Sequence, residues 1–252
     1  MTTLRRNALL RRLNNGEIGV IANGLNSSDL CDFVGQFGFD AALIDFEHGA
    51  VSWNNMADIT RACELWDMVP IVRPNRLAAS LVTRALDQGA AGIMVPHVVT
   101  RDDAESAASA CRYPPVGTRG VARNRRQYGV SDYFERVNNE VVCLALIEDV
   151  AAARNIDILL AVDGIDVYYV APSDMAASMG YLGEPEHPDV VRVIDESIAA
   201  VVAAGKVAGT LVTDHNVEDY LAKGVRCVGV SWLQWVAGGA SQFLSGVRSY
   251  NR

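Results

Sequence analysis

The feature that most constrains the fold is an alternation of short apolar segments with amphipathic ones, which begins at residue 18 and continues into the C-terminal region. The apolar segments are rich in Val, Ile and Ala, as is typical of strands buried on both faces of a parallel sheet. Helical patterns lie between them, such as SSDLCDFVGQFG with Ser27 or Ser28 as its N-cap, and HPDVVRVIDESIAAVVAAG, which ends at Gly205. The predicted strands are residues 18–23, 40–45, 69–73, 91–96, 141–147, 166–171, 206–212 and 225–231.

Eight strand-helix units in 252 residues match the count and size of a (β/α)8 barrel, the TIM barrel of the α/β class. An open, doubly wound sheet is the alternative, but no G-x-G-x-x-G motif follows the first strand. No linker or low-complexity segment divides the chain, so we predict one barrel domain over residues 1–252. An N-terminal helix over 3–14 and a C-terminal helix over about 232–247 are expected to flank the barrel and to make subunit contacts.

The composition excludes several classes of function. A formal charge of -8 and a pI near 5.0 describe an acidic surface, which disfavours binding to nucleic acid or to anionic lipid. The five cysteines are widely spaced, contain no C-x-x-C pair and have apolar neighbours, as expected of reduced core residues in a cytoplasmic protein. No apolar segment is long enough to span a bilayer. We therefore expect a cytoplasmic protein that acts on a small molecule.

Both ends of the chain show helical patterns. Four arginines and no acidic residue precede Glu17, a composition that can mark a targeting peptide, but the apolar run of a secretory signal is missing. The leucines between residues 4 and 13 instead fit an amphipathic helix that ends at Asn14-Asn15-Gly16. Near the C-terminus, two tryptophans and a phenylalanine form an apolar stripe that would fit packing on this barrel or on a partner subunit.

Ionisable residues stand at the ends of most predicted strands. Barrel enzymes carry their active sites at the carboxyl ends of the strands, so these residues are expected to share one face. Any one of them could be a surface charge or a helix cap, but three of the four histidines of the chain belong to the set. Its members are Asp45, Glu47, His48, Arg73, His97, Glu148, Asp174, Asp214 and His215.

Within this set, Glu148 and Asp174 indicate a metal site. Glu148 follows a largely apolar strand, where a carboxylate is costly unless it is paired or bound to a cation. Asp174 comes 26 residues later, about one strand-helix unit, so the two carboxylates are expected on adjacent strands. Two carboxylates that leave positions free for water and substrate oxygens are typical of Mg2+ or Mn2+ sites.

The remaining strand ends suggest acid-base chemistry beside that metal. Arg73 cannot act as a base, but it can stabilise an oxyanion such as an enolate. Asp45 and His48 are three residues apart at a turn, so the carboxylate could orient the imidazole as a proton shuttle. The alternative for His48 is a ring that its acidic neighbour satisfies without any chemistry.

The lysines argue against a Schiff-base mechanism. Such a mechanism needs a lysine amine at the catalytic face, and the chain has only Lys206 and Lys223. Lys206 stands at the start of the seventh predicted strand and Lys223 precedes the eighth, which assigns both to the opposite, N-terminal face of the barrel.

Seven segments occur in the order and spacing of one known family, from about residue 18 to residue 230. They are IDFEHGA, IVRPN, LDQGAAGIMVPHV, RYPPVGTRGV, LIEDV, VYYVAPSDMAASMG and the helix that begins with HPDV. Together they resemble the HpcH/HpaI aldolases, the class II pyruvate aldolases of the phosphoenolpyruvate/pyruvate barrel superfamily. The resemblance implies a carbon-carbon lyase that cleaves or forms 4-hydroxy-2-oxo acids from pyruvate enolate and an aldehyde.

The resemblance also implies residue roles. Glu148 and Asp174 would bind a divalent ion, Mg2+, Mn2+ or Co2+, which pyruvate chelates, and Arg73 would stabilise the enolate. Backbone amides around Pro172, Ser173 and Asp174 would hold the pyruvate carboxylate. The dyad of His48 with Asp45 would move the proton of the aldol hydroxyl.

Two further positions and an assembly follow from the same resemblance. Asp87, in LDQG, matches a family acid near the base, and His97, in VPHV, matches a substrate-site position where macrophomate-synthase-like members also have histidine. The family forms homohexamers, built as trimers of dimers that exchange the last helix, and a residue of the neighbour's YPP–RG loop helps to close each site.

Two residues depart from the family pattern. Leu146 stands where heptanedioate-type members have glutamine, two residues before the metal glutamate, so one polar contact to pyruvate would be lost. Ala171 replaces the usual glycine of the GP-x-D turn and adds a methyl group beside the pyruvate site. Both changes bear on the choice of substrate more than on metal binding.

Two other functions remain open from the sequence. One is a lyase of a citramalyl-CoA-like thioester, from the same superfamily, although no basic run suggests a coenzyme A site. The other is a barrel that has lost catalysis and serves binding or assembly. The irregular segment 113–134 also carries a cluster of arginines, which is either a solvated face or a reader of a distal substrate carboxylate, within the chain or across a subunit boundary. The arginines of this cluster are Arg119, Arg123, Arg125 and Arg126.

Overall fold

A computed structural model describes residues 3–250, and in it eight parallel strands form a closed barrel in chain order. Each strand pairs with the next, and the eighth pairs with the first. The (β/α)8 prediction is confirmed and the open sheet is excluded, because no strand is left at an edge. The strands are β1 (Gly19–Asn23), β2 (Ala41–Asp45), β3 (Val69–Arg73), β4 (Gly92–Val95), β5 (Val142–Ile147), β6 (Val167–Val170), β7 (Val207–Val212) and β8 (Cys227–Ser231).

Helices connect the strands on the outside of the barrel. Two 3-10 turns, Arg125–Gln127 and Val137–Asn139, lie in the long segment before β5. The domain predicted over residues 1–252 includes two residues at each terminus that lie outside the described residues. The helices are α1 (Ala8–Asn14), α2 (Ser28–Gly35), α3 (Met56–Leu65), α4 (Ala79–Asp87), α5 (Arg101–Ala110), α6 (Tyr133–Arg136), α7 (Val150–Arg154), α8 (Ile156–Leu160), α9 (Pro172–Ser178), α10 (Pro188–Ala203), α11 (Val217–Ala222) and α12 (Leu233–Ser249).

Side chains fill the barrel, which has no open channel through its middle. Alternate residues of the strands point inward and form an interior cluster that includes Ile21, Leu43, Ile71, Leu144 and Leu146. The other residues of the strands pack against the surrounding helices in a second cluster. Burying each large aliphatic side chain contributes about 1.5–3 kcal/mol to the stability of the fold. The two clusters therefore give rigid support to the residues at the carboxyl ends of the strands, which form the rim of the barrel.

The N-terminal helix closes one end of the barrel. Leu9, Leu10 and Leu13 of α1 belong to the interior cluster. Gly19 of β1 leaves room for them, because an added Cβ would lie 2.2 Å from Leu9 Cδ1. The predicted amphipathic helix is thereby confirmed over 8–14, and its leucines form a floor beneath the inward-facing residues of the strands.

The start of this helix corrects the prediction of a helix over 3–14. Asn7 is in an extended conformation (φ -74°, ψ 105°), and its Oδ1 accepts a hydrogen bond from the Leu10 N–H at 3.0 Å. Asn7 also donates from Nδ2 to the Ala91 carbonyl at 2.9 Å. The N-cap at Asn7 therefore makes Ala8 the first residue of the helix, and the residues before Asn7 run along the base of the barrel.

The C-terminal helix is placed within two residues of its predicted bounds, but it buries none of its side chains in this chain. Its apolar side chains are exposed, including Phe243 at 70% and Val236 at 52%. Packing of this helix on a partner subunit stays a prediction.

All five cysteines are buried and free, as expected. Among residues 3–250, no helix has both the length and the apolar character needed to cross a membrane.

Candidate active site

The turn after β2 is shaped by the carboxylate of Asp45. Its Oδ1 accepts hydrogen bonds from the backbone N–H of Glu47 at 3.0 Å and of His48 at 3.4 Å. Gly49 passes so close that an added Cβ would lie 2.3 Å from the Asp45 carbonyl oxygen. The turn therefore needs an acceptor at its first position and glycine at its last, which accounts for the D-F-E-H-G sequence at this place.

The same carboxylate pairs with Arg73 on the neighbouring strand. Asp45 and Arg73 are direct partners in the β2–β3 register. Arg73 Nε donates to Asp45 Oδ1 at 2.9 Å and a terminal nitrogen donates to Oδ2 at 2.6 Å, while Glu47 Oε2 lies 3.3 Å from the other terminal nitrogen. The guanidinium is thus fixed by a two-pronged bond on one side and a second carboxylate on another.

Charges in this group shift the pKa of both partners. Burial alone would raise the pKa of Asp45, but the hydrogen bonds and charge of Arg73 lower it below its ordinary value. Burial alone would lower the pKa of Arg73, but Asp45, with Glu47 and Glu148, raises it. Both groups are therefore charged throughout the physiological pH range.

Glu148 lies directly after β5 and is almost fully buried, with 2% of its surface exposed. Its Oε1 accepts a hydrogen bond from the His97 backbone N–H at 2.7 Å. His97 holds a left-handed conformation with φ 53°, which is uncommon for a residue with a side chain. This conformation accompanies a ring position in which Nδ1 lies 3.3 Å from Glu148 Oε1 and 3.1 Å from Asp149 Oδ2.

The electrostatics around Glu148 fit a divalent cation. Burial is the largest cause of its raised pKa, and the negative charges of Asp174 and Glu47 raise it further, against the opposing effect of His97. Neighbouring carboxylates repel each other unless a cation or proton lies between them. The residues that the structure describes contain no cluster of three or more His, Cys, Asp or Glu suited to a metal, so a cation here would have two carboxylates and take its other ligands from water or substrate.

Asp174 belongs to the first turn of α9, which starts at Pro172. Backbone amides around residues 172–174 were expected to hold a carboxylate, but proline has no N–H, so Pro172 can contribute only its ring and carbonyl. The N–H groups of Ser173 and Asp174 take part in no hydrogen bond among the described residues. These two donors are therefore available to a ligand, and Pro172 fixes the start of the helix that presents them.

The two residues that depart from the family pattern lie next to this site. Leu146 has 1% of its surface exposed and belongs to the interior cluster, one inward-facing position below Glu148. Ala171 is partly buried, packs against the same cluster and donates its N–H to the Ile147 carbonyl at 3.1 Å. An apolar side chain therefore forms the layer beneath the rim at the Leu146 position.

The two histidine rings lie on the outer, open side. The side chains of His48 and His97 are 66% and 62% exposed. The expected contact between the His48 ring and the Asp45 carboxylate is not found, because Arg73 occupies both oxygens of Asp45. His48 Nε2 instead lies 3.9 Å from Glu47 Oε2, and His97 Nε2 lies 3.8 Å from Glu47 Oε1.

Glu47 is the residue to which sequence reasoning gave no role. It is buried to the same degree as Arg73, with its side chain 12% exposed, and it is within 4 Å of Arg73 and of both histidine rings. Its place beside His48 at a strand end was the available signal, but only the folded turn shows which way its carboxylate points.

Asp87 does not join this group within the chain. It is the last residue of α4, which leads into the amino end of β4, so it belongs to the opposite face of the barrel. Its Oδ1 accepts a hydrogen bond at 2.8 Å from Arg119, whose side chain is 1% exposed. The expected proximity of Asp87 to the histidine base is therefore absent inside one chain.

The loop arginines are also directed away from the rim. Arg125 pairs with Glu64 at 2.7 Å, Arg123 stacks over the Tyr128 ring at 5.6 Å, and Arg126 donates to the Ala90 carbonyl. The solvated-face interpretation is wrong for Arg119 and Arg126, which are buried. Recognition of a substrate carboxylate by one of these residues would have to cross a subunit boundary, and it stays a prediction.

Comparison with known proteins assigns the chain to one group. A family model described as HpcH/HpaI aldolase/citrate lyase matches residues 21–232. A 2-keto-3-deoxy-L-rhamnonate aldolase of Klebsiella pneumoniae subsp. pneumoniae is 38% identical over 237 residues, which cover 91% of this chain and 88% of that protein.

Solved structures agree with this match. A HpcH/HpaI aldolase/citrate lyase family protein from Burkholderia cenocepacia J2315 superposes with a TM-score of 0.90 at 31% identity, over 96% of this chain and 99% of the other. The citrate synthase SbnG superposes with a TM-score of 0.87 at 27% identity, over 98% of this chain and 100% of that chain.

Proposed function

Because the chain belongs to the HpcH/HpaI aldolase/citrate lyase family, we propose that it cleaves a 4-hydroxy-2-oxo acid into pyruvate and an aldehyde with a divalent metal, or forms that bond in reverse. The enzyme class, a carbon-carbon lyase of the class II aldolase type, follows from the relatives. The name of the similar Klebsiella enzyme describes a 2-keto-3-deoxy acid. Aldol cleavage of a 4-hydroxy-2-oxo acid breaks the bond between C3 and C4, and the oxo fragment is pyruvate when C3 has no hydroxyl. A 2-keto-3-deoxy acid has such a C3, which supports the substrate class proposed here.

The observation that carries the proposal is the burial of Glu148 beside the negative charges of Asp174 and Glu47. A buried carboxylate with like charges around it is unfavourable unless a cation compensates it. When bound by Glu148 and Asp174, Mg2+, Mn2+ or Co2+ would polarise the keto group and act as the electron sink for cleavage.

Arg73 is suited to hold the oxyanion of the enolate. Its guanidinium is already fixed by Asp45 and Glu47, so little reorganisation is needed when negative charge develops on the substrate. Asp45 is therefore proposed to act as a positioning residue for Arg73 as well as for the turn that carries His48.

The N–H groups of Ser173 and Asp174 are proposed to bind the pyruvate carboxylate, since they are free and stand at the start of α9. His48 is proposed to move the proton of the aldol hydroxyl. Its exposed ring is on the open side of the site, where the aldehyde portion of the substrate would lie, and His97 would contact the same portion.

The positions of both lysines support a mechanism without a Schiff base. Lys206 directly precedes β7, and Lys223 follows α11 and pairs with Asp195 at 2.6 Å. Both belong to the amino ends of strands, away from Glu148 and Arg73.

The test is metal depletion combined with borohydride trapping. We expect EDTA to abolish pyruvate release from a panel of 4-hydroxy-2-oxo acids, and Mg2+, Mn2+ or Co2+ to restore it. Borohydride with pyruvate should leave the activity intact. Activity that survives exhaustive chelation, or a borohydride adduct on either lysine, would refute the metal mechanism.

The same panel, extended by a citramalyl-CoA-like thioester, separates the other functions left open by the sequence. Turnover of a citramalyl-CoA-like thioester in preference to free acids would indicate the thioester lyase. Flat progress curves with every substrate and metal would indicate a barrel without catalysis.

We further propose a homo-oligomer, a hexamer built as a trimer of dimers, in which α12 packs on a partner subunit. The exposure of Phe243, Val236 and Trp235 along this helix supports it, since an apolar stripe of this kind is usually covered. A clean monomer in sedimentation would exclude the proposal. The buried, unpaired cysteines support a cytoplasmic location.

A further inference from the structure

A second cleft lies at the amino end of the barrel, on the face opposite Glu148 and Arg73. It has a volume of about 500 Å³ and is bounded by the segment before α1, the end of α3, the start of β3 and the arginine-rich loop. The volume is in the range of small-molecule sites. Its arginines are Arg5, Arg6, Arg11, Arg126 and Arg136.

The positive charge of this amino-end cleft runs against the charge of the whole protein, which is -8. Only two acidic residues, Glu64 and Asp67, line it. Glu64 pairs with Arg125 at 2.7 Å, and Asp67 is paired with Arg5 at 3.2 Å. Both carboxylates are therefore already engaged.

Three of the lining arginines have no carboxylate partner among residues 3–250. They are Arg6, Arg11 and Arg126, for which no ion pair exists within 4.0 Å. Exposed arginines such as Arg6 and Arg11 can be left to water at little cost. Arg126 is different because it is buried.

Arg126 has only 9% of its surface exposed. Its one described side-chain hydrogen bond runs from a terminal nitrogen to the Ala90 carbonyl at 3.3 Å. Its backbone is held in place by Asn124, whose Oδ1 accepts the Arg126 N–H at 3.1 Å. Burial lowers the pKa of Arg126 against the smaller opposing effects of Tyr133 and Glu64, so nearby negative charge does not fully compensate for the water that this cation has lost.

We propose that the amino-end cleft binds a small anion that carries at least two negative charges, a dicarboxylate or a phosphate, with the Arg126 guanidinium at its base. Carboxylate and phosphate groups share the geometry that a guanidinium recognises with two parallel N–H donors. Arg6 and Arg11 are near enough to contribute to the second charge, since they line the same cleft.

Binding should be visible as thermal stabilisation. The cleft is formed by parts of the chain that are distant in sequence, namely the segment before α1, the start of β3 at Val69 and Pro70, and the loop at Arg126. An anion that bridges them binds the folded state and not the unfolded chain, and therefore raises the unfolding midpoint.

The experiment measures thermal unfolding and calorimetric binding of the full chain with inorganic phosphate or succinate, at ionic strength held constant with NaCl. At a hundredfold excess over the dissociation constant, the midpoint of the unmodified protein should rise by about 5–10 °C. The phosphate arm and the succinate arm distinguish the two chemical sources of the anion.

Variants assign the effect to the cleft. Arg126→Met should abolish the rise, whereas Arg123→Met, the same charge change in the same loop but over Tyr128, should keep it. Glu148→Gln, altered at the opposite end, should also keep it. If Arg126→Met does not fold, the double variant Arg6→Met/Arg11→Met decides, with an expected loss of at least tenfold in affinity.

Two results would overturn the proposal. The first is no rise with either anion at constant ionic strength. The second is an equal rise in the unmodified protein and in the cleft variants, which would assign the anion to another place. Neither result depends on aldolase activity, so the proposed function is tested separately.

Discussion

The two ends of the barrel are opposite in charge. At the carboxyl end, Glu47, Glu148 and Asp174 outnumber one arginine, Arg73. At the amino end, five arginines line a cleft with two carboxylates. Because the strands are parallel, every loop that leaves a strand reaches the first end and every loop that enters a strand reaches the second. The barrel therefore keeps two charge sets apart that would neutralise each other if they shared one face.

The ends also differ in which charge lacks a partner. Arg73 is paired on two sides, while Glu148 is buried and has the exposed His97 ring at 3.3 Å as its ion-pair contact. At the other end the acids are paired, while Arg126 is buried without an ion-pair partner among the described residues. The carboxyl end therefore has more acidic than basic groups and the amino end more arginines than carboxylates, and substitutions at each end test this difference.

The largest effect is expected from Glu148→Gln. The amide cannot supply the negative charge that a metal needs, so pyruvate release should fall below detection. The metal-free variant should unfold at a higher temperature than the parent, because a neutral group escapes the cost of burial that raises the pKa of Glu148. Activity assays and thermal scans in EDTA measure the two quantities.

Glu105→Gln is the control, since Glu105 is exposed and pairs only with Arg101. It should change neither activity nor stability. If Glu148→Gln is as active as the parent, Glu148 is not part of the active site. If the variant unfolds at a lower temperature than the parent, the fold already stabilises the carboxylate.

Arg73→Lys should have the next largest effect. The ammonium keeps the charge but cannot hold Asp45 with two parallel bonds and reach Glu47 at once. We expect kcat to fall by about 10²–10³-fold, the usual loss when one oxyanion donor is removed. Arg61→Lys, in an exposed pair with Asp58, should behave as the parent, and a full kcat for Arg73→Lys would exclude the role in oxyanion stabilisation.

Leu146→Gln examines the apolar layer beneath the rim. It introduces the residue of heptanedioate-type relatives at a position with 1% exposure, so unfolding in urea should show a loss of about 1–3 kcal/mol. If the amide reaches bound pyruvate, the KM for pyruvate in the condensation direction should decrease. Leu144→Gln, one layer deeper, should lose as much stability with no change in KM; equal KM values for both variants would confine Leu146 to a packing role.

The smallest effect is expected at the floor. Asn7→Ala removes the cap of α1 and the bond to Ala91, which should lower the free energy of unfolding by about 0.5–2 kcal/mol. Since Asn7 is at the amino end, kcat and KM should not change. Asn14→Ala, at the exposed end of the same helix, is the matched control, and a change in kcat for Asn7→Ala would show that the two ends are coupled.

The strands could be predicted to within one or two residues because each is a short apolar run bounded by polar or glycine residues. The positions of the strand ends also predicted that residues such as Glu148 and Arg73 lie at the rim. The sequence could not predict which of these side chains pair with each other. Asp45 was expected to orient His48, but the β2–β3 register sets it directly opposite Arg73.

The arginine loop shows the same limit. Four arginines within eight residues look alike in the sequence, yet they meet an aspartate, a tyrosine ring, a glutamate and a backbone carbonyl. Three of those partners, Asp87, Glu64 and Ala90, come from segments that are distant in sequence, so only the closed barrel determines them. Likewise the Asn7 side chain that caps α1 is also held by a hydrogen bond to Ala91, a contact across 84 residues.

The packed interior of the barrel, which reaches down to the leucines of α1, separates the proposed site from the amino end, so substrate would enter and leave at the carboxyl end. Pyruvate would sit deepest, beside Glu148 with its 2% exposure, and the aldehyde would sit above it near the exposed ring of His48. Products can then leave only in sequence, the aldehyde first and pyruvate last. Steady-state kinetics should therefore follow an ordered scheme in which pyruvate inhibits competitively against the hydroxy-oxo acid, while the aldehyde inhibits noncompetitively.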